Sequence, residues 1–255
     1  MNTIVHLIRL LLLRPLRNTA RGWAATAVRI PRFLREYRTF RRGAELPVRV
    51  ADWNPQLRDA TRVTPFDPHY FYQSAWAAAM IAERRPERHV DVGSQINLIA
   101  PLTAIVPVEF VDIRPLEARL PRLTSVGASI LTLPYPDRSI ASLSSLHVVE
   151  HIGLGRYGDP IDPDGTRKAC GELVRVLAAG GHLYLTVPVG RERVEFNAHR
   201  VLDPGTILRY CAGLVLADFS CVDDGGEYRR NVDVGVARDF SYGAGFFHFV
   251  RPAQS

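Results

Sequence analysis

The 255-residue chain is 47% hydrophobic and 23% charged, the balance of a soluble globular protein with one sizeable α/β core and additions, or two small domains. Its net charge of +6 is unevenly placed: residues 1–50 hold 11 Arg against 2 Glu, net +9, so residues 51–255 are net −3. That asymmetry excludes a uniformly basic nucleic-acid binder, and three scattered cysteines without a CxxC pair exclude a disulfide framework and fit a reducing, cytoplasmic compartment.

The opening "MNTIVHLIRLLLLRPLR" is apolar but too short to span a bilayer, and Arg9 interrupts it. Its charges lie inside and after the apolar run, unlike those of a secretory signal. In "RFLREYRTFRR", Phe33, Leu34, Tyr37 and Phe40 recur at helical spacing, with Arg32, Arg35, Arg38 and Arg42 largely on other faces. Residues 1–50 thus read as a basic amphipathic helical arm. It either packs on the body or lies, through residues 1–42, on an anionic membrane surface or partner protein.

"FDPHYFYQSAWAAAMIAERRPER" predicts a helix capped by Asp67, with Pro68 as its first residue and Pro86 closing it. "HVDVGS" is an apolar strand ending at a glycine, "INLIAPLTAI" a helix broken near Pro101, and "VEFVDIRP" a second strand ending in an acid. "SVGASI" and "SIASLSSLH" predict strands three and four. "DGTRKACGELVRVLAAGG" is an amphipathic helix, opened by Asp162 and Pro163 and ended by Gly180. "HLYLTVPVG" is a fifth strand, "DPGTILRYCAG" a helix again opened by Asp-Pro, and "LVLADFSCVDD" and "AGFFHFVRP" two last strands. The alternation predicts an α/β domain over residues 60–255: a mostly parallel sheet, helices on both faces and a C-terminal antiparallel hairpin.

Ligands of such sheets bind at the carboxyl ends of the strands, near the point where strand order reverses. That rule gathers Gly93, Asp112, His147 and Pro188 around one crevice. A glycine ending one strand admits close approach of the backbone to a ligand, and an acid ending the next is placed to accept from both ribose hydroxyls. As an ordered pair they point to adenosine; a turn glycine and a helix-capping acid are the plainer alternative.

"LHVVEHIGLGRYGDPIDPDG", residues 146–165, packs two histidines, four acids and four glycines into twenty positions. "HVVEH" has the spacing of an inverted zinc-protease motif, but a strand precedes it and "GLG" follows, so the helix that zinc ligation needs is absent or very short. "DPIDPDG" fails as a calcium loop, because Pro160 and Gly171 occupy positions that should be acidic. No metal is expected. Asp159, Arg156 and Tyr157 remain, over the crevice mouth, where a substrate-facing loop belongs.

"LPYPDRSIASLSSLHVVEHI", followed by "ELVRVLAAGGHLYLTVP", strongly resembles class I S-adenosylmethionine-dependent methyltransferases. More narrowly, "HYFYQSAWAA", "GLGRYGDPIDPDG" and "EFNAHRV" resemble the uncharacterised domain-of-unknown-function family 268, grouped with those enzymes, over most of residues 67–250. The resemblance implies a Rossmann-like fold and S-adenosylmethionine as cofactor, held by Asp91, Gly93, Asp112, Ser129 and Ile130. It implies His147, Glu150 and His151 facing the acceptor as catalytic groups. Arg156, Tyr157 and Asp159 from the loop, with Arg191, Asn197, His199 and Arg200 after strand five, would bind that substrate. The implied acceptor is small or glycan-linked, in surface-polysaccharide assembly. Of the usual D-x-G-x-G-x-G motif, "DVGSQINLI" keeps only Gly93, which leaves a second reading open: a cofactor-free binding or scaffold protein of a membrane-associated glycan-assembly complex, peripheral at the inner face of the membrane.

Overall fold

The computed structural model describes residues 28–253, so the apolar opening segment lies outside the described residues. The chain divides into two compact units, Met1–Pro65 and Phe66–Ser255.

In the first unit, helix α1 (Ile30–Gly43) carries a proline in its first turn and Arg41 and Arg42 in its last, the arrangement favoured by the helix dipole. Arg32 Nε pairs with Glu36 Oε1 at 2.7 Å, one turn on. Phe33 and Tyr37 meet Trp53 edge-on, with centroids 5.2 and 4.8 Å apart. The aromatic face of the helix is therefore partly covered within its own unit, while Phe40 and the arginines of α1 are exposed. Among the described residues no helix is long and apolar enough to cross a membrane.

The second unit opens with α2 (Pro68–Arg84), capped as its sequence predicts: Asp67 Oδ1 accepts from His69 N at 2.9 Å and Tyr70 N at 3.3 Å. Arg85 adopts the left-handed conformation that ends the helix before Pro86. Strands β1 (His89–Val92), β2 (Val108–Asp112), β3 (Leu123–Gly127), β4 (Ile140–Leu146) and β5 (Leu177–Val189) run parallel in the order β3-β2-β1-β4-β5. The winding reverses between β1 and β4. A separate small ribbon, β6 (Arg193–Glu195) and β7 (His199–Val201), follows β5. Strands β8 (Val215–Val222), β9 (Tyr228–Arg229) and β10 (Gly243–Val250) complete the sheet. β8 and β10 pair antiparallel, as expected of a hairpin, but β10 is not an edge strand: it inserts between β5 and β8 and is antiparallel to both.

Helices cover both faces. On one, Trp76, Ala77 and Ile81 of α2 pack with Ile99 and Leu102 of α3 (Ile96–Leu102) against Phe110, Tyr184 and Phe246. On the other, Ala169, Leu173 and Val176 of α4 (Gly165–Val176) and Ile207 of α5 (Pro204–Tyr210) lie on Leu143, Leu185 and Phe247. Within the sheet, β1 is buried along its length yet carries two polar residues. His89 satisfies both ring nitrogens on Ser142 and Ser144, each at 2.8 Å, and Ser144 donates in turn to Asp91.

Three boundaries differ from the sequence reading. β3 begins earlier than "SVGASI", at Leu123, paired with Val108. α4 starts at Gly165, not Pro163, because Asp162 instead closes a turn, its Oδ1 accepting from Asp164 N at 2.9 Å and its carbonyl from Gly165 N at 3.0 Å. The helix ends at Val176, since Leu177 joins β5 opposite Ile140; Gly180, at φ +69°, lies inside that strand, where the register shifts.

Candidate active site

A cavity of about 360 Å³ opens at the carboxyl ends of β1, β2 and β4, within the range of small-molecule sites. Gly93, Asp112, Ser129 and Ile130 line it from one side, and His147, His151, Tyr157 and Asp159 from the other. Gly93 has φ +71°, and a Cβ there would stand 3.1 Å from Val148 Cγ1 and 3.6 Å from Asp112 Oδ2. Any side chain at 93 would thus crowd this wall and strain the backbone. Asp112 Oδ1 accepts from Arg114 N at 2.7 Å, which fixes the carboxylate, while Oδ2 lies beside Gly93. Gln95 and Asn97, standing where the usual motif has glycines, are exposed, and neither lines the cavity. The missing glycines therefore leave its volume unfilled, and the residues present fit an adenosine group.

Asp91 is placed differently from its expected role. It is fully buried behind the cavity wall, accepting from Ser94 N at 3.0 Å and from Ser144. Burial pushes its carboxyl up to about 6. Asp91 braces the turn after β1 and does not line the cavity.

The twenty-residue loop is built by unusual backbone angles at its glycines and by one arginine. His147 leaves β4 at φ +56°, a 3₁₀ turn follows at Val149–His151, and Gly153, Gly155 and Gly158 all have positive φ. A Cβ on Gly153 would lie 2.0 Å from the carbonyl oxygen of Asp162, so only glycine permits that crossing. Arg200 is buried and turned inward. Its Nη1 donates to the carbonyls of Glu150 and Ile152 and to Thr166 Oγ1, and its Nη2 to the carbonyls of Asp162 and Pro163, at 2.7–3.3 Å. It clamps the loop and is not free to hold an anionic acceptor. Asp159 is also committed to the loop, accepting from Gly153 N, Gly155 N and Tyr157 N. Burial works against its charge, but those backbone donors outweigh it and hold the carboxyl below its ordinary range. Arg156 donates to Ala198 O at 3.0 Å, and Tyr157 is flanked by the guanidiniums of Arg114 and Arg156, 4.6 and 5.1 Å from its ring centre. Arg191 and Asn197 do not line the cavity.

Beside the cavity the fold assembles groups that the sequence reading did not connect. His147 Nδ1 lies 2.8 Å from Thr186 Oγ1, and Thr186 donates to Gln73 Oε1 at 2.6 Å. With its proton so used, Thr186 accepts from Nδ1–H, which leaves the Nε2 lone pair of His147 without a partner. Burial, then the neighbouring His69, His151 and His199, push the His147 imidazole down to about 3, so it is neutral at physiological pH. Tyr70 and His69, from the first turn of α2, lie 5.5 and 6.0 Å from the His147 ring, and Tyr242, just before β10, lies 5.2 Å from both His69 and His199. His151 Nδ1 is 2.7 Å from Ala198 O. Glu150 is 1% exposed with no hydrogen-bond partner on either carboxyl oxygen; His151 Nε2, at 3.8 Å, is beyond reach. His69, Tyr70 and Gln73 lie in the text "HYFYQSAWAA" and Thr186 in "HLYLTVP"; nothing local marked Tyr242.

Burial pushes Glu150 up to about 8 from an ordinary 4.5. Its cost to stability is absent below the unfolded-state pKa, grows as pH rises, and is complete above the folded value. Glu150→Gln is therefore expected to raise the melting temperature clearly at about pH 8.5 and hardly at about pH 4.5. Parallel thermal melts of parent and variant check this, and equal gains at both pH values would count against a buried, unpartnered carboxyl.

Residues 133–223 match the model of a family described as "Caenorhabditis protein of unknown function, DUF268". No curated protein matches the chain. Among solved structures, the N-methyltransferase NodS from Bradyrhizobium japonicum WM9 aligns with a TM-score of 0.51 at 13% identity, over 73% of this chain and 98% of that one. The same protein in complex with S-adenosyl-L-homocysteine gives 0.50 at 14% identity, over 85% and 98%. The [4+2]-cyclase SpnF gives 0.49 at 15% identity, over 69% and 80%.

Proposed function

We propose S-adenosylmethionine-dependent methyl transfer to a small or glycan-linked acceptor, supported by the match of residues 133–223 to the DUF268 model and by a fold similar to that of an N-methyltransferase. The observation that carries this reading is one cavity with an adenosine-type wall of Gly93, Asp112, Ser129 and Ile130 facing His147 and His151. The cofactor, held by that wall, would supply a methyl group made electrophilic by its sulfonium. Displacement at such a carbon is in line, so the chain's own contribution is largely alignment and exclusion of water. The loop at 153–160 does this from above, fixed by Arg200 and Asp159. His147, kept as the Nδ1–H tautomer by Thr186 and Gln73, is neutral and offers its Nε2 lone pair to accept a hydrogen bond that orients the acceptor. Tyr70, Tyr157 and Tyr242, each 38–40% exposed, offer rings on which a sugar face stacks. Surface-polysaccharide assembly fits that chemistry.

Calorimetric titration with S-adenosylhomocysteine tests the cofactor. Asp112→Ala is expected to weaken binding by about 1.5–3 kcal/mol, the scale for hydrogen bonds to a charged group. Equal affinity in parent and variant removes Asp112 from the site, and no binding by the parent favours the scaffold reading.

For the first unit we propose contact with an anionic membrane surface, supported by the +9 of residues 1–50 and the exposed Arg35, Arg38, Arg41, Arg42 and Phe40. The full chain is expected to float with phosphatidylserine-containing vesicles, less so as salt rises, since added ions screen the attraction. The chain lacking residues 1–50 should not float, and equal flotation of both forms would show that this segment has no such role.

A further inference from the structure

The loop after β4 is built so as to hold one ring in place. At its base Arg200 ties it down through four backbone carbonyls. At its tip the Asp159 carboxylate gathers the amides of Gly153, Gly155 and Tyr157 at 2.7–3.4 Å. The Tyr157 ring so presented is 38% exposed and belongs to neither core cluster, so packing of the core does not require it. It meets the opposite wall of the cavity. The Arg114 guanidinium, from the segment after β2, lies over it 4.6 Å from the ring centre, and both residues line the cavity. We infer that Tyr157, latched by Arg114, closes the cavity over the adenosine end of the cofactor, so that the tip of this loop is part of the cofactor site.

The position of the contact decides which part of the ligand it covers. Arg114 follows closely on Asp112, the acid placed for the ribose, and its Nε stands 3.7 Å from Asp112 Oδ1. Ile113, Ile130 and Leu131 line the same cavity, an apolar surface suited to a purine. An aromatic ring closing that end removes the base from water and adds contacts of its own. The other neighbours of Tyr157 come from its own loop: Arg156, 5.1 Å from the ring centre, and His151, whose ring meets it edge-on at 5.7 Å. These steady the ring within the loop, whereas Arg114 joins it to the other wall. The hydrogen bond that fixes Asp112 comes from the backbone amide of Arg114, so the guanidinium can be removed without loss of that bond. The part of the ring left exposed still faces the acceptor. No bond is made or broken at Tyr157 in this role, which is binding.

This inference rests on the methyltransferase reading for the identity of the ligand, and its test needs no turnover. The full chain and its variants are titrated calorimetrically with S-adenosylhomocysteine and, separately, with adenosine. Tyr157→Ala is expected to weaken both ligands by about tenfold or more, since an aromatic wall is lost. Arg114→Gln should weaken them about two- to fivefold, the weight of a cation over a partly exposed ring, and keeps the test open should Tyr157→Ala fail to fold. Tyr157→Phe, which retains the ring, should bind as the parent does. The double variant, Tyr157→Ala with Arg114→Gln, should bind about as Tyr157→Ala alone, because both changes remove one shared contact. Affinities within about twofold of the parent in folded Tyr157→Ala, or losses that simply add in the double variant, overturn the inference and leave the methyltransferase reading in place. Adenosine bound through Tyr157 while S-adenosylhomocysteine is refused keeps the closing ring and removes the methyltransferase reading. No binding of either ligand by the parent removes both.

Discussion

Arg200→Ala is expected to destabilise the second unit by about 3–5 kcal/mol, because it strands several buried acceptors at once. The guanidinium is 7% exposed and spans from the 3₁₀ turn at Val149–His151 to the start of α4, serving four carbonyls and Thr166 Oγ1. Thr166 spends its own proton on Val149 O at 2.8 Å, so it cannot reorganise to cover the loss without giving up that bond. For a unit of this size the melting temperature should fall by roughly 6–20 °C. Arg200→Lys should recover little, since one ammonium cannot reach five acceptors laid out for a planar fork. Thermal melts of the three proteins check this, and a fall under about 2 °C for the alanine variant would mean that the loop holds its shape by its glycines alone.

His147→Asn is expected to cut methyl transfer by about 10²-fold, the scale of a misaligned acceptor, with S-adenosylhomocysteine affinity nearly unchanged. Asparagine is chosen because His147 sits at φ +56°, a conformation that Asn tolerates better than most side chains. The resting protein offers a second readout. In nitrogen-15 spectra of histidine-labelled chain, the His147 ring should carry its proton on Nδ1. Thr186→Val should redistribute it and lower the rate, whereas Thr186→Ser should preserve both. Full activity in His147→Asn would remove His147 from the alignment of the acceptor.

The sheet was legible because its strands announce themselves locally. "HVDV" and "VEFVD" are apolar runs closed by a glycine or an acid, and Asp67-Pro68 and Asp203-Pro204 cap α2 and α5 as their sequences predict. The end of α4 was not legible, since "LAAGG" prolongs a helical pattern and only pairing of Leu177 with Ile140 turns it into strand. The cavity wall followed from strand ends, which places Gly93 and Asp112 without knowledge of packing. Arg200 and Arg191 could not be told apart in the same way: both are arginines after β5, and only the fold turns one inward and leaves the other exposed. His69, Gln73, Thr186 and Tyr242 escaped for a related reason. His69 and Thr186 reach His147 directly, Gln73 through Thr186 and Tyr242 through His69, from α2, β5 and the segment before β10, and no sequence spacing encodes a meeting of elements so far apart in the chain.

The insertion of β10 between β5 and β8 bears on how the molecule is made. A ribosome delivers β1 to β5, and then β8, before the strand that joins them exists, so until residues 243–250 emerge the nascent chain carries two open sheet borders with unpaired amides. Closure then demands contacts of long sequence separation, the slow kind. The strand that closes them reads "GAGFFHFV", nearly uncharged and rich in phenylalanine. Synthesis interrupted just short of it would release a species whose two raw borders invite pairing with other chains.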